Sequence, residues 1–169
     1  MRTKKLVRLA LLTAIALTIF IVEAQLPAPV PIPGVKLGLA NIVTVFTVFA
    51  FGPGEGAAVL FCRVFLGAVF CGNFSTILYS GAGGLCAILI TIGLRRVLTL
   101  RQLWAAGALG AMGHSVGQMA AAIAISRTPA LIVYLPAMLA CSIVTGVFTG
   151  LCAQFLLNRG DSLWKTIFR

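Results

Sequence analysis

Long apolar segments follow one another along almost the whole chain, and short polar or helix-breaking stretches separate them. An α-helix needs about 20 apolar residues to cross the hydrocarbon core of a bilayer. Only 9% of the 169 residues are charged, whereas soluble domains carry about 25% charged residues. We therefore predict a single all-α transmembrane domain over residues 1–169, built as a bundle of six membrane-spanning helices. The predicted spans are 6–26, 36–52, 56–72, 75–95, 102–126 and 131–157.

The placement of basic residues predicts the orientation of the bundle. The chain has 13 Lys and Arg but only 3 Asp and Glu, and positive charge accumulates on the cytoplasmic side of membrane proteins. With the N-terminus inside, ten basic residues fall on inner segments and two, Lys36 and Arg127, on outer ones. We thus expect a multi-pass protein of the cytoplasmic membrane with both termini in the cytoplasm and residues 158–169 as an amphipathic helix on the inner leaflet. The basic residues form no basic-aromatic patch, so nucleic acid is not an expected partner.

Catalytic and metal-binding patterns are missing from the sequence. Magnesium-dependent prenyl transfer needs clustered carboxylates, and the single aspartate, Asp161, lies in the tail. The five cysteines form no CxxC pair and His114 is the one histidine, so a zinc site has no support. No phosphate-binding GxxxxGK[ST] loop occurs. We therefore predict no catalytic residue, no metal and no cofactor, and we do not expect the chain to be an enzyme.

Polar side chains within the predicted spans indicate where an organic solute would bind. A charge near mid-membrane costs at least about 2.5–3.5 kcal/mol, so it persists where it has a partner or a role. Arg63 could pair with Glu23 across the bundle, with Glu55 along its own helix, or with helix carbonyls. His114 and Gln118 share one helix face, either as a cavity wall or as ordinary interhelical hydrogen-bonding groups. The predicted substrate-binding residues are Glu23, Gln25, Lys36, Asn41, Arg63, Asn73, Tyr79, Ser80, His114 and Gln118.

A proline-rich segment connects the first two predicted spans. Prolines occupy every second position from Pro27 to Pro33, and each one biases the preceding residue toward extended geometry. Residues 26–34 could therefore reach roughly 25–28 Å, whereas neighbouring helices lie only about 8–10 Å apart. We interpret the segment as a lid over the outer mouth of the bundle. A strip that only seals the bundle is the alternative.

Small residues recur at helical spacing in several spans. Lipid gives helices no hydrophobic drive to associate, so such residues indicate close backbone packing. The first span has the pair Ala10 and Ala14 near its cytoplasmic end. This span is long enough to be a retained helix rather than a cleaved signal peptide. The later spans carry Ala106, Gly110, Gly113, Gly117, Ala121, Gly146 and Gly150.

Three segments within residues 30–118 together resemble one known family. They read VPIPGVKLGLANIVTVF, RVFLGAVFCGNFSTILYSGAGG and GHSVGQ. These segments look like the Gx transporter family, which is also labelled heptaprenyl diphosphate synthase component I. The chain departs from the expected pattern at Ser115, where an asparagine would follow the histidine. The family is similar to the substrate-binding S components of energy-coupling factor (ECF) transporters.

The resemblance implies a six-helix bundle that binds a small, vitamin-like solute near the outer face for uptake. It also implies docking onto a transmembrane T subunit and ATPase subunits, with Ala10 and Ala14 at the positions of the family's AxxxA docking pattern. The settings in which the family occurs imply a flavin-, vitamin- or isoprenoid- and quinone-related solute. The alternatives are a non-catalytic membrane subunit of a prenyl diphosphate synthase and an assembly subunit of a membrane redox complex.

Replacing both Pro29 and Pro31 by glycine is expected to weaken solute capture by up to about tenfold, because glycine removes the extended bias of the lid. The measurement is the solute affinity of the purified wild type and of the double variant. Equal affinities would favour a segment that only seals the bundle.

Overall fold

The computed structural model describes residues 2–25, 38–72 and 74–167. These residues form six α-helices and two short 3-10 helices and contain no strand, which confirms the all-α prediction. The α-helices are α1 (Arg2–Gln25), α2 (Asn41–Ala50), α3 (Pro53–Cys71), α4 (Ser75–Arg95), α5 (Leu103–Ser126) and α6 (Leu135–Ile167). The 3-10 helices, Leu100–Gln102 and Pro129–Tyr134, lead into α5 and α6.

Five of the helices, all except α2, are long and apolar enough to cross a membrane. The protein is therefore a multi-pass membrane protein. The predicted second span, residues 36–52, differs from the structure, because α2 has only ten residues. That length corresponds to about 15 Å, half of a hydrocarbon core of about 30 Å. Gly38 (φ +80°) and Gly52 (φ +131°) bracket α2 with left-handed backbone, so the helical path ends on both sides.

The turn between α2 and α3 is shorter than predicted. Helix α3 begins at Pro53 rather than at residue 56, with the proline in its first turn. Proline fits that position because its missing N–H would have no partner within the helix. The prediction of two separate helices around this turn is confirmed.

Helix α2 lies in the interior of the bundle rather than at its edge. Seven of its ten residues are buried, and its contacts extend to α1, α3, α4, α5 and α6. Val43, Val45 and Phe46 form one core cluster with Leu12 of α1 and Leu103 of α5. The other helices thus enclose α2 and fix the position of its first turn.

Glycines bring α4, α5 and α6 into backbone contact. A Cβ added to Gly107 would lie 2.7 Å from the Cα of Gly150, and one added to Gly117 would lie 2.7 Å from the Ala82 carbonyl oxygen. No side chain fits at these distances. The small residues of α5 and α6 therefore act as the sequence predicts, as sites of close helix approach.

Charged residues at one end of the bundle connect α1 to the α2–α3 turn. The Lys5 Nζ atom lies 2.7 Å from Glu55 Oε1, and the Arg8 guanidinium lies 4.0 Å from the centre of the Phe51 ring. Glu55 thus pairs with Lys5. Pairing of Glu55 with Arg63, one of the alternatives from the sequence, does not occur.

Helix α6 continues through most of the region predicted as a separate tail. It runs without a break over the 33 residues from Leu135 to Ile167, which corresponds to about 50 Å. The backbone of residues 158–167 is therefore an extension of the last span.

The substitution Gly107→Ala is expected to destabilise the protein by about 1–3 kcal/mol, because the added methyl group overpacks the α5–α6 contact. The measurement is thermal unfolding in detergent. Gly93→Ala is the matched control: it is also helical but has no atom within 4 Å of an added Cβ, so alanine should be neutral or stabilising by up to about 1 kcal/mol. Equal unfolding temperatures for the two variants would contradict the packing described here.

Candidate functional site

Arg63 lies on α3 inside the bundle and is only 3% exposed. Its guanidinium carbon is 5.8 Å from the centre of the Phe20 ring on α1, and the carboxylate of Glu23 stabilises its charge electrostatically. The Nε and Nη2 atoms are buried without a hydrogen-bond partner among the described residues. Of the partners that the sequence left open, Glu23 is the one whose charge acts on Arg63.

Glu23 connects the end of α1 to the chain just before α2. Its Oε1 atom accepts a hydrogen bond from the backbone N–H of Gly38 at 2.5 Å. Gly38 has φ +80°, a conformation that glycine adopts without the steric cost of a Cβ. Glu23 is 4% exposed, so its carboxylate is held inside the protein between a backbone donor and the positive field of Arg63.

His114 and Gln118 lie one turn apart on α5 and face α4 at Gly83. A Cβ on Gly83 would lie 2.7 Å from Gln118 Cγ and 3.0 Å from His114 Cε1. The Gly83 backbone also acts electrostatically on the His114 ring. The YSGAGG sequence of α4 therefore supplies the space that lets these two side chains enter the interior.

Asn41 and Thr44 belong to the first turn of α2 and are both buried. A Cβ on Gly38 would lie 3.1 Å from Asn41 Nδ2 and 3.9 Å from His114 Cδ2. The start of α2 is thus next to the histidine of α5. The positive charge of Arg63 also acts on His114, which brings α3 to the same place.

These groups form one buried polar cluster, contributed by α1, α2, α3 and α5 and made possible by Gly38 and Gly83. It consists of Glu23, Asn41, Arg63, His114 and Gln118, together with Thr44, which is buried one turn after Asn41 on α2. Within the described part of the chain, seven buried atoms of the cluster have no hydrogen-bond partner: Asn41 Nδ2, Thr44 Oγ1, Arg63 Nε and Nη2, His114 Nδ1, and Gln118 Nε2 and Oε1.

The other predicted site residues lie outside this cluster or outside the described part of the chain. Ser80 is buried one turn before Gly83 on α4, whereas Tyr79 is half-buried and Gln25 is exposed at the end of α1. Lys36 and Asn73 lie outside the described residues, as does the proline-rich segment. No hydrogen bond or ion pair is described between the cluster and Ser80, Tyr79 or Gln25.

Thr44 is the cluster member that is not among the site residues predicted from the sequence. It lies three residues after Asn41, a spacing that puts two helical side chains on one face. That spacing was the available signal, but threonine is common in apolar helices, where it bonds its own backbone. Thr47 does so, donating to the Val43 carbonyl at 2.6 Å, whereas Thr44 Oγ1 has no such partner in the described structure.

Ser115 points away from the cluster although it follows His114 in the sequence. Its hydroxyl is 2.5 Å from that of Ser142, and the Ser142 hydroxyl is 2.7 Å from the Met138 carbonyl oxygen within α6. The serine therefore connects α5 to α6. In place of the expected asparagine, it contributes an interhelical hydrogen bond.

The cluster offers mainly hydrogen-bond donors, together with a guanidinium and a carboxylate. This composition suits the polar groups of an organic molecule held by several convergent side chains. Within residues 2–25, 38–72 and 74–167, no group of three or more His, Cys, Asp or Glu side chains could hold a metal ion.

Comparison with known proteins gives one family. The family model for heptaprenyl diphosphate synthase component I matches residues 12–156, which includes all six cluster residues. Neither the curated proteins nor the solved structures give a significant match. The match covers 145 residues (12 to 156) of the 169 and agrees with the multi-pass helical fold. The chain therefore belongs to the heptaprenyl diphosphate synthase component I family, also called the Gx transporter family.

Proposed function

We propose that the protein is a solute-binding membrane subunit of the ECF S-component type. It would bind a small organic solute at the buried polar cluster for uptake across the cytoplasmic membrane. The observation that carries this proposal is that seven buried polar atoms of the cluster have no hydrogen-bond partner in the described part of the chain.

A purely structural role for the cluster is energetically unfavourable. Each buried donor or acceptor without a partner costs about 1–3 kcal/mol, and more for a charged group. Native proteins leave only a few such atoms per 100 residues, and each needs an explanation. The cluster atoms come from α2, α3 and α5, so a single molecule between these helices could pair several of them at once.

The side from which the solute arrives follows from the predicted orientation. With the N-terminus in the cytoplasm, α1 ends on the outside, and Glu23 is two residues before that end at Gln25. Asn41 begins α2 after the proline-rich segment. The cluster thus lies toward the outer half of the bundle, which suits capture from outside.

The exposed surface of α1 is suited to contact with a partner subunit. Ala10 and Ala14 are both exposed, as are the neighbouring Leu6, Val7 and Leu11. Small exposed side chains on a membrane helix allow a second helix to approach closely. We propose this face as the contact for a membrane T subunit that works with ATPase subunits.

The alternative, a non-catalytic membrane subunit of a prenyl diphosphate synthase, rests on the family's description. It predicts that prenyl transfer in a reconstituted system depends on this chain. It supplies no reason for the unpaired atoms of the cluster, so we favour the solute-binding function.

The main test is thermal unfolding of the purified protein with a panel of flavins, quinone precursors and vitamins, together with identification of co-purified small molecules. At least one compound should raise the unfolding temperature, because a ligand that binds only the folded state stabilises it. No shift across the panel and no co-purified compound would refute the proposal.

Gln118→Met sharpens this test because methionine keeps the volume but removes two unpaired polar atoms. Without ligand, the variant should be more stable than the wild type by roughly 1–3 kcal/mol. The rise in its unfolding temperature on ligand binding should be smaller. Thr91→Val is the matched control: Thr91 is buried on α4 but donates to the Ala87 carbonyl at 2.8 Å, so its ligand-induced shift should equal that of the wild type. A normal ligand response of Gln118→Met would place the solute elsewhere.

The double substitution of Ala10 and Ala14 by tryptophan should abolish recovery of a T subunit in affinity purification while leaving the ligand-induced shift unchanged. Bulky rings prevent close helix approach, but they lie on the outside of α1. Unchanged recovery of the partner would exclude this face as the contact.

A further inference from the structure

The two unpaired nitrogens of Arg63 lie on the same edge of its guanidinium. Nε and Nη2 each direct an N–H to that side, and both are buried without a partner among the described residues. This edge matches the spacing of the two oxygens of a carboxylate, which it binds through two parallel hydrogen bonds. Among the described residues, Arg63 therefore presents a planar two-point donor in the interior of the bundle.

We propose that Arg63 is the residue that binds a carboxylate group of the solute. This inference rests on the solute-binding function proposed above and names the chemical class of the solute: a small organic acid with one carboxylate facing Arg63. The uncharged part of the molecule would contact the amides of Asn41 and Gln118 and the ring of His114.

The protein's own described carboxylates do not fill the edge of Arg63. Glu55 pairs with Lys5. Glu23 accepts the Gly38 N–H through Oε1 and acts on Arg63 through its charge, but it leaves Nε and Nη2 unpaired. An external acceptor is thus the group that this edge requires.

The charges of the cluster favour a carboxylate over a phosphate. Arg63 and Glu23 are the charged residues among the buried side chains described. A buried charge is costly unless it is paired, and a phosphate brings up to two negative charges to a site that already contains one carboxylate. A carboxylate brings one charge and the planar geometry that the guanidinium edge matches.

The remaining unpaired atoms suit the neutral part of such a molecule. Asn41 Nδ2 and Gln118 Nε2 are donors, and Gln118 Oε1 is an acceptor. A site built to hydrogen-bond specific groups rejects analogues that lack them, because its own buried groups then stay unpaired. Arg63 would select acids as a class, and the amides would select among acids.

The test uses benzoate and benzamide as fragment probes, since they share ring and size and differ in the carboxylate. Affinities are measured by ligand-observed NMR with the full-length protein in nanodiscs. Wild-type protein should bind benzoate at least about tenfold more tightly than benzamide, the ratio that one hydrogen-bonded interaction with a charged group supports.

Variants of Arg63 show whether the edge of its guanidinium is responsible for the preference for benzoate over benzamide. Arg63→Gln should bring the benzoate-to-benzamide ratio close to one. Arg63→Lys keeps a point charge without the fork, so it should retain only part of the preference. Thr91→Val is the control and should keep the wild-type ratio.

Equal wild-type binding of the two probes, or no binding of either, would overturn the carboxylate inference. An unchanged ratio in Arg63→Gln would overturn it as well. The solute-binding proposal is judged separately by the flavin, quinone-precursor and vitamin panel. A neutral compound from that panel that binds through Gln118 would support the proposed binding site but would refute the inference that the solute is an organic acid.

Discussion

A guanidinium enclosed in an apolar bundle is the constraint on which the interior of this protein depends. A charge within the membrane is tolerated only with partners close by, and the partners of Arg63 come from elsewhere in the chain. Phe20 and Glu23 lie on α1, and Glu23 in turn binds Gly38 before α2. The need to stabilise one cation on α3 therefore determines how α1 and the start of α2 are arranged around it.

Glycine residues, which have no side chain, have an equally direct effect on His114 and Gln118, the part of the cluster on α5. His114 and Gln118 are polar and bulky, and they enter the interior because α4 presents a glycine opposite them. Glycines also allow α5 to pack closely against α6, at Gly107 and Gly150. Helix α5 is thereby packed closely on two sides, which limits the freedom of its polar side chains and preorganises them.

The sequence predicts the parts of this structure that follow from composition and periodicity. The helical class, the long spans, the shared face of His114 and Gln118, and the close packing of small residues all arise from patterns within single segments. The short length of α2 was not predictable in this way. Its flanking residues are as apolar as a span requires, and the left-handed backbone at Gly38 and Gly52 decides where the helix ends.

Contacts between residues in different segments of the chain could not be predicted from the sequence either. Glu23 and Glu55 were both plausible partners of Arg63, and only the packing of α1 against the α2–α3 turn assigns Glu55 to Lys5. Thr44 resembles any other threonine of an apolar helix until its neighbours are known. Whether its hydroxyl has a hydrogen-bond partner, which it lacks among the described residues, depends on the arrangement of helices that are distant in the chain.

The unbroken length of α6 has a mechanical consequence. A helix of about 50 Å extends roughly 20 Å beyond a hydrocarbon core of about 30 Å. Because α6 has no interruption between Leu135 and Ile167, the extension forms an arm that is continuous with the last span. A reorientation of the bundle by about 30°, within the range of tilts found for membrane helices, would displace the end of that arm by about 10 Å. A rotation of the membrane domain would thus become a large translation at its C-terminal end.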